Sequence, residues 1–436
     1  MRPVFLAVLA ALSLAGCSSW FGEPEKPPLP GERVAVLTLE SKHAPDEKLR
    51  GVPVALPRPR ANADWPQAGG DPSHAMHHLA LGEPLGRLWQ RSIGEGSDDE
   101  QFLLAPPVIG DGRLFVMDAE YRIAALDPAT GQGIWRRKFE FDEERDGAFG
   151  GGIAYADGRL FVTTGYALVL ALDATSGEEL WRQSVQAPLR ASPAVSGGRV
   201  FAVTVDNKLH ALDARDGKLL WNHSGLAEIA GMLGGASPAV QGDIVVVPYS
   251  SGELVALRVE NGRRIWADSL VSVQGDPVST IADIRARPVI DRDLVLAIGN
   301  GGRMAAISTR TGARVWQRAL GGIEMPWVAG DYVFVVTAGA ELLCLRRIDG
   351  RVRWSLSLPR WEDEDDRTDP ITWAGPVLAG DRLILGASTG EVVAVSPYTG
   401  ALLGRIELSD SVSIAPVVAG ETLYFLTDDA DLIALR

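Results

Sequence analysis

The stretch Ala211-Leu212-Asp213-Ala214-Arg215-Asp216-Gly217-Lys218-Leu219-Leu220-Trp221 decides the fold, because versions of it return along nearly the whole chain. It reads as the end of a short apolar strand, a tight turn and the start of a second strand. The Asp213 carboxylate is placed to accept from a backbone N–H two residues on, and Gly217 supplies a positive φ without steric cost. Trp221 falls four residues after that glycine, on the next strand. One such unit buries a single side of each strand and leaves a large indole without a partner, so neighbouring copies must supply it.

The Gly-x-x-x-Trp spacing recurs as Gly131/Trp135, Gly177/Trp181, Gly217/Trp221, Gly262/Trp266, Gly312/Trp316 and Gly350/Trp354. A degenerate copy carries Gly404 four residues after Gly400, and Trp89 is a further copy without its own turn. Seven steps separate Trp89 from Gly404 and average 45 residues, which is the period of four-stranded propeller blades. A second marker keeps the same register, from Ala125-Leu126-Asp127 through Ala211-Leu212-Asp213 to Ala434-Leu435-Arg436, eight times in all. Ahead of it lies a Pro-Val-like strand, a turn and an apolar strand, as from Pro107 to Val116. Four short strands per unit and scarce helical signals predict an all-β chain, an eight-bladed β-propeller of four-stranded antiparallel blades. The last unit stops one strand short, and the orphan Trp89 strand is expected to complete it, closing the ring and leaving no long open edge. A solenoid needs polar caps and leaves the Trp89 strand unexplained. The repeat tryptophans Trp89, Trp135, Trp181, Trp221, Trp266, Trp316 and Trp354 are accordingly expected to pack blade against blade rather than to form a stacking platform.

The formal net charge of −14 disfavours nucleic acid and anionic headgroups and helps basic partners. Of the two cysteines, Cys344 sits in the apolar run Glu341-Leu342-Leu343-Cys344-Leu345 and reads as a small buried thiol. Cys17 follows an apolar stretch, Val4 to Leu14, that is too short to span a bilayer and has the layout of a secretory signal. Leu14-Ala15-Gly16-Cys17 resembles the bacterial lipobox. That resemblance implies a signal peptide over residues 1–16, a lipidated Cys17 and, with Ser18 next, an outer-membrane anchor facing the periplasm. Residues 17–60 are rich in proline and charge and read as a tether, with Val34-Ala35-Val36-Leu37 as its one apolar run. The globular part is expected over 61–436, opening with Trp65-Pro66-Gln67-Ala68-Gly69-Gly70.

Candidate chemistry is sparse. His74, His77 and His78, with Asp71 nearby, are the only histidine cluster and are expected as solvated imidazoles on a capping loop, because adjacent side chains on an extended chain point apart. Asp98-Asp99-Glu100 and Glu362-Asp363-Glu364-Asp365-Asp366 read as solvated faces. Phe149-Gly150-Gly151-Gly152 starts a strand with no helix behind it, and no nucleophile elbow, phosphate loop or zinc-protease stretch occurs. No catalytic residue, metal ligand or cofactor site is assigned.

The Ala-Leu-Asp-x-x-Thr-Gly-x-x-x-Trp repeat is similar to the blade repeat of pyrroloquinoline-quinone enzymes over most of residues 100–436. Eight such units behind a lipobox resemble the BamB family, lipoproteins of the outer-membrane β-barrel assembly machinery. The resemblance implies a non-enzymatic scaffold without cofactor. It would dock on the periplasmic POTRA domains of BamA, alongside other Bam subunits and arriving unfolded outer-membrane proteins. By the same resemblance the docking loops are Leu226-Ala227-Glu228-Ile229-Ala230-Gly231-Met232-Leu233 and residues 279–287. The partner-binding candidates are Leu226, Glu228, Ile229, Met232, Asp283, Arg285 and Arg287. Arg285 stands where the family would place an acid and Glu228 near an expected Arg. That is either a charge-swapped interface or an offset of the loops by a few residues. Two rivals remain. A quinone-dependent dehydrogenase would use a carboxylate-bound Ca²⁺, a catalytic Asp and often an adjacent cysteine pair, which this sequence lacks. A cell-envelope polysaccharide binder is favoured only if Trp327, Trp361 and Trp373 gather on one rim.

Overall fold

The computed structural model describes residues 43–141, 150–228, 231–271 and 282–436. Among them, strands form eight four-stranded antiparallel sheets and one small hairpin. Blade 1 runs from Val108–Gly110 to Gly133–Lys138, blade 2 from Gly151–Ala156 to Glu179–Ser184, and blade 3 from Ala194–Ser196 to Leu219–Ser224. Blade 4 runs from Ala239–Gln241 to Arg264–Ser269, blade 5 from Val289–Asp291 to Arg314–Arg318, and blade 6 from Trp327–Ala329 to Val352–Ser357. Blade 7 spans Trp373–Ala379 to Leu402–Glu407. Blade 8 combines Val417–Ala419, Thr422–Leu426 and Asp431–Leu435 with Arg87–Ser92, whose Trp89 lies opposite Ala434. Gly86 and Arg436 exchange two backbone hydrogen bonds of 2.8 and 2.9 Å, standing in for the turn that joins these strands elsewhere. The acidic run Glu362–Asp366 sits on the extra hairpin, Trp361–Asp363 paired with Thr368–Pro370. No helix among the described residues is long and apolar enough to cross a membrane.

The repeat works as its residue types require. Asp213 Oδ1 accepts from the Arg215 N–H at 2.8 Å, and Gly217 has φ +75°. The register shifts between Ala211 and Leu212, which sets Trp221 opposite Ala211. Its indole then lies over Gly262 of blade 4, where an added Cβ would meet the ring at 2.5 Å, and its N–H donates to the Val259 carbonyl at 3.0 Å. The same lock joins Trp89 to Gly131, Trp135 to Gly177, Trp181 to Gly217, Trp266 to Gly312, Trp316 to Gly350 and Trp354 to Gly400. The tryptophans therefore join blades, each roughly 150–250 Å² in size. In blade 7 the place opposite Ala394 is taken by Gly404, and the seam with blade 8 keeps a groove of ≈ 620 Å³. Cys344 is buried in blade 6, and that burial pushes its thiol pKa up.

Two parts of the chain differ from expectation. Residues 43–60 lie along blade 6 ahead of the expected boundary: Leu49 and Val54 are buried, the Asp46 N–H donates to Val352 O at 2.9 Å, and Tyr332 Oη donates to Pro53 O at 3.2 Å. Residues 62–79 then visit the innermost strand of each blade in ring order. Asn62 pairs with Val418 and Gly420 of blade 8, and Trp65 exchanges backbone bonds with Ile109 of blade 1. Pro66 O accepts from Tyr155, and the Gln67 amide bridges Val195 N and O at 2.9 and 2.7 Å. Pro72 O accepts from Val240, Ser73 O from Ile290, His77 O from the Trp327 indole, and Leu79 pairs with Leu378 and Gly380. The inner edges, which a propeller would otherwise leave unpaired, are thus satisfied by one plug.

The histidines belong to this plug and are not solvated as expected. His74 and His78 are buried, the first bonding Pro288 O at 2.7 Å and the second Pro57 O at 2.8 Å, while His77 faces Asp291 at 3.5 Å. Their side chains thus diverge, His74 to Pro288, His77 to Asp291 and His78 to Pro57.

Candidate functional site: the loop face and the axial cup

In blades 1–7 the chain turns back between its first and second and its third and fourth strands at one end of the sheet, where in blade 8 Gly86 and Arg436 meet instead of the last turn. The turn between the second and third strands, and the connector to the next blade, lie at the other end. That second face carries the long connectors, including both candidate docking loops. It is the face with room for function, because its segments are free of the repeat.

Three successive connectors are knotted together there. Arg190 Nη2, from the blade 2–3 connector, donates to Asp283 Oδ2 at 2.5 Å and to Gly234 O at 3.1 Å. The Met232 N–H donates to the same Asp283 oxygen at 2.8 Å. Asp283 is fully buried, so it ties the blade 3–4 connector to the blade 4–5 connector from beneath. Breaking such a pair leaves one buried charge uncompensated, at about 3–5 kcal/mol.

The apolar tip at Leu226, in the same blade 3–4 connector, is held by other partners. Leu226 N–H donates to Glu253 Oε2 at 2.7 Å, and its carbonyl accepts from Asn207 Nδ2 at 2.8 Å. Its side chain is nonetheless 64% exposed. Val205, in a turn of blade 3, and Val271, after blade 4, are exposed at the same end. Leu226 is thus an exposed aliphatic side chain on a backbone held at both its N–H and its carbonyl. Of the other candidates, Glu228 is exposed and Met232 half-buried, whereas Ile229 and Cys17 lie outside the described residues.

Arg285 and Arg287 point elsewhere. They line an axial cup of ≈ 100 Å³ whose floor is the plug, at Trp65 and Gly69, and whose walls are connectors such as those of Arg190, Gly234 and Glu324 together with strand residues Gly151 and Gly375. Trp65 stacks on Trp327 at 6.2 Å. Burial lowers the Arg287 pKa, with Glu324 opposing and Arg285 adding to the shift. Burial likewise raises that of Glu324, against the Gly375 N–H and the two arginines. Neither Arg190, which is paired, nor the plug could be found from local sequence pattern.

Among the described residues, no group of three or more His, Cys, Asp or Glu converges as a metal would require. The aromatics outside the repeat do not share a rim: Trp327 and Trp373 are buried, and only Trp361 is partly exposed, beneath the Arg360 guanidinium.

A family model described as outer membrane protein assembly factor BamB matches residues 119–356 and 360–436. The chain belongs to the BamB family. Assembly factor BamB of Alkalilimnicola ehrlichii is 33% identical over 351 residues, covering 80% of this chain and 88% of that protein. Its counterpart in Pseudomonas aeruginosa is 28% identical with the same two shares. The match to the Legionella pneumophila protein, at 27% identity, covers 49% of that relative. Among solved structures, BamB from Moraxella catarrhalis aligns with TM-score 0.67 at 18% identity, over 81% of this chain and all of that one. A quinohemoprotein alcohol dehydrogenase from Pseudomonas putida aligns at 0.66 and 13% identity, over 86% of this chain and 80% of that one. Likeness at that level of identity is one of fold, and fold alone does not carry activity.

Proposed function

We propose that the protein is a non-enzymatic assembly factor for outer-membrane β-barrel proteins, anchored by a lipid on Cys17 at the periplasmic face of the outer membrane. It works by position. The loop face of blades 3 and 4 docks the POTRA domains of BamA and so holds that subunit, with other Bam subunits, near arriving barrel chains. The observation that carries this reading, beyond family membership, is Leu226: an exposed leucine on a backbone pinned at both its N–H and its carbonyl. Apolar anchors surrounded by charge mark partner sites, and a backbone already ordered loses little entropy on binding.

Within this reading the candidates divide by role. Leu226 and Glu228 meet the partner. Asp283 acts beneath them, through Arg190 and Met232, to keep the connectors in place. The test is capture of purified BamA POTRA domains by wild type and Leu226→Asp. The substitution lies on the surface and should leave the fold within about 0.5 kcal/mol, while binding should fall at least tenfold. Unchanged capture rejects the site.

A further inference from the structure

We propose that the axial cup is a binding site for a small free oxyanion of the carboxylate or phosphate class, held by Arg285 and Arg287. This stands apart from the docking reading, since it concerns the lumen and not the surface at Leu226.

Three observations carry it. The cup is a closed-bottomed cavity, floored by plug residues Trp65 and Gly69, of ≈ 100 Å³. A single water needs about 10–15 Å³ by the same kind of measure, so there is room for a small anion with its residual hydration. Gly234, in its wall, leaves room beside the guanidinium: a Cβ added there would lie 3.8 Å from Arg285 Nε.

The second observation is unbalanced charge. Arg190 is neutralised by Asp283 at 2.5 Å. Arg285 and Arg287 have no such partner: neither makes a hydrogen bond or an ion pair with any described residue, and the buried Arg287 Nε is without a partner. The remaining acid, Glu324, directs Oε2 at the Gly375 N–H, 3.1 Å away. Two guanidiniums against one carboxylate leave a positive lumen inside a protein whose net charge is −14.

The third is chemical fit. Arg285 and Arg287 are half-buried, a guanidinium partly taken out of water gains from acceptors for its N–H groups, and its fork matches the paired oxygens of a carboxylate or phosphate. The stacked Trp65 and Trp327 give the floor an apolar surface, which strengthens such a contact by excluding water.

The test is thermal unfolding and titration calorimetry of the whole protein with sodium succinate and with inorganic phosphate, against chloride at equal ionic strength. A saturable rise in the midpoint is expected for at least one anion, and the preferred one identifies the class. Arg285→Gln and Arg287→Gln should each weaken binding at least tenfold. Glu324→Gln, which removes the competing carboxylate, should tighten it severalfold. That opposite sign separates a site from general loosening of the fold, and it decides the matter even if Arg287→Gln fails to fold. The proposal is overturned if neither anion gives a saturable rise in wild type, or if the Arg and Glu variants all respond as wild type does.

Discussion

Gly404→Trp should make the protein more stable. Seven blade seams are locked by an indole lying over a glycine, whereas the seam between blades 7 and 8 has Gly404 in the indole's place and a groove of ≈ 620 Å³. An added Cβ at Gly404 meets no atom within 4 Å, so the side chain has an unobstructed start. Its path runs between Val392, Ala394 and Ile406 on one side and Leu423 on the other, with Pro84 and Leu85 partly in the way. Burying about 120–150 Å² of ring at about 25 cal/mol/Å² contributes roughly 3–4 kcal/mol. Relief of a glycine within a strand adds about 0.5–1 kcal/mol. Against this, ordering the side chain costs about 1 kcal/mol, and displacing Leu85 about 1 kcal/mol more. The net gain is about 1.5–3 kcal/mol. Urea unfolding followed by circular dichroism would read it as a higher midpoint with an unchanged slope. Trp221→Ala, which empties a filled seam, should lose about 3–5 kcal/mol in the same assay. A Gly404→Trp protein no more stable than wild type would refute the reasoning, because Pro84 and Leu85 would then already fill the seam.

Gln67→Ala strips partners from both Val195 N–H and Val195 C=O and should lower stability by about 2–6 kcal/mol at about 1–3 per orphaned group; urea midpoints check it. His74 has its pKa lowered to about 4 by burial, so the native state resists its protonation. Its contribution is intact above the unfolded value of 6.5 and declines as pH falls from 6.5 towards 4, by roughly 3 kcal/mol in total. In His74→Asn, a residue type that tolerates the positive φ there, the stability gap to wild type should narrow across that pH window, and a constant gap would contradict the assignment. Trp89→Ala should cost about 3–5 kcal/mol, as Trp221→Ala does. A much smaller loss would mean that the Arg87–Ser92 strand is not an integral part of blade 8.

What the sequence shows and what it hides follow from the range of the interactions. The Ala211–Trp221 unit is legible because its turn, bulge and indole are all set within a few residues, and repetition multiplies the signal. Leu226 is legible as an apolar residue among charges in a non-repeating connector. Asp283 is not legible in the same way. Its family position suggests a surface acid, yet its partner Arg190 lies 93 residues away, and nothing local announces a buried pair.

The plug is hidden for a related reason. It meets each blade once, mostly through backbone groups, so its residues share neither a type nor a period: Asn62, Trp65, Gln67, Pro72, His77 and Leu79 touch six different blades. This arrangement also explains where the protein keeps its charge chemistry. Residues 62–79 already take the backbone hydrogen bonds of the inner strands at the floor of the channel. The charged groups above that floor come from the connectors, whose sequences are released from the repeat. Arg190, Asp283, Arg285, Arg287 and Glu324 all lie on connectors. A substitution in the repeat should thus register in stability and one in a connector in binding, and Trp221→Ala beside Leu226→Asp is the direct comparison.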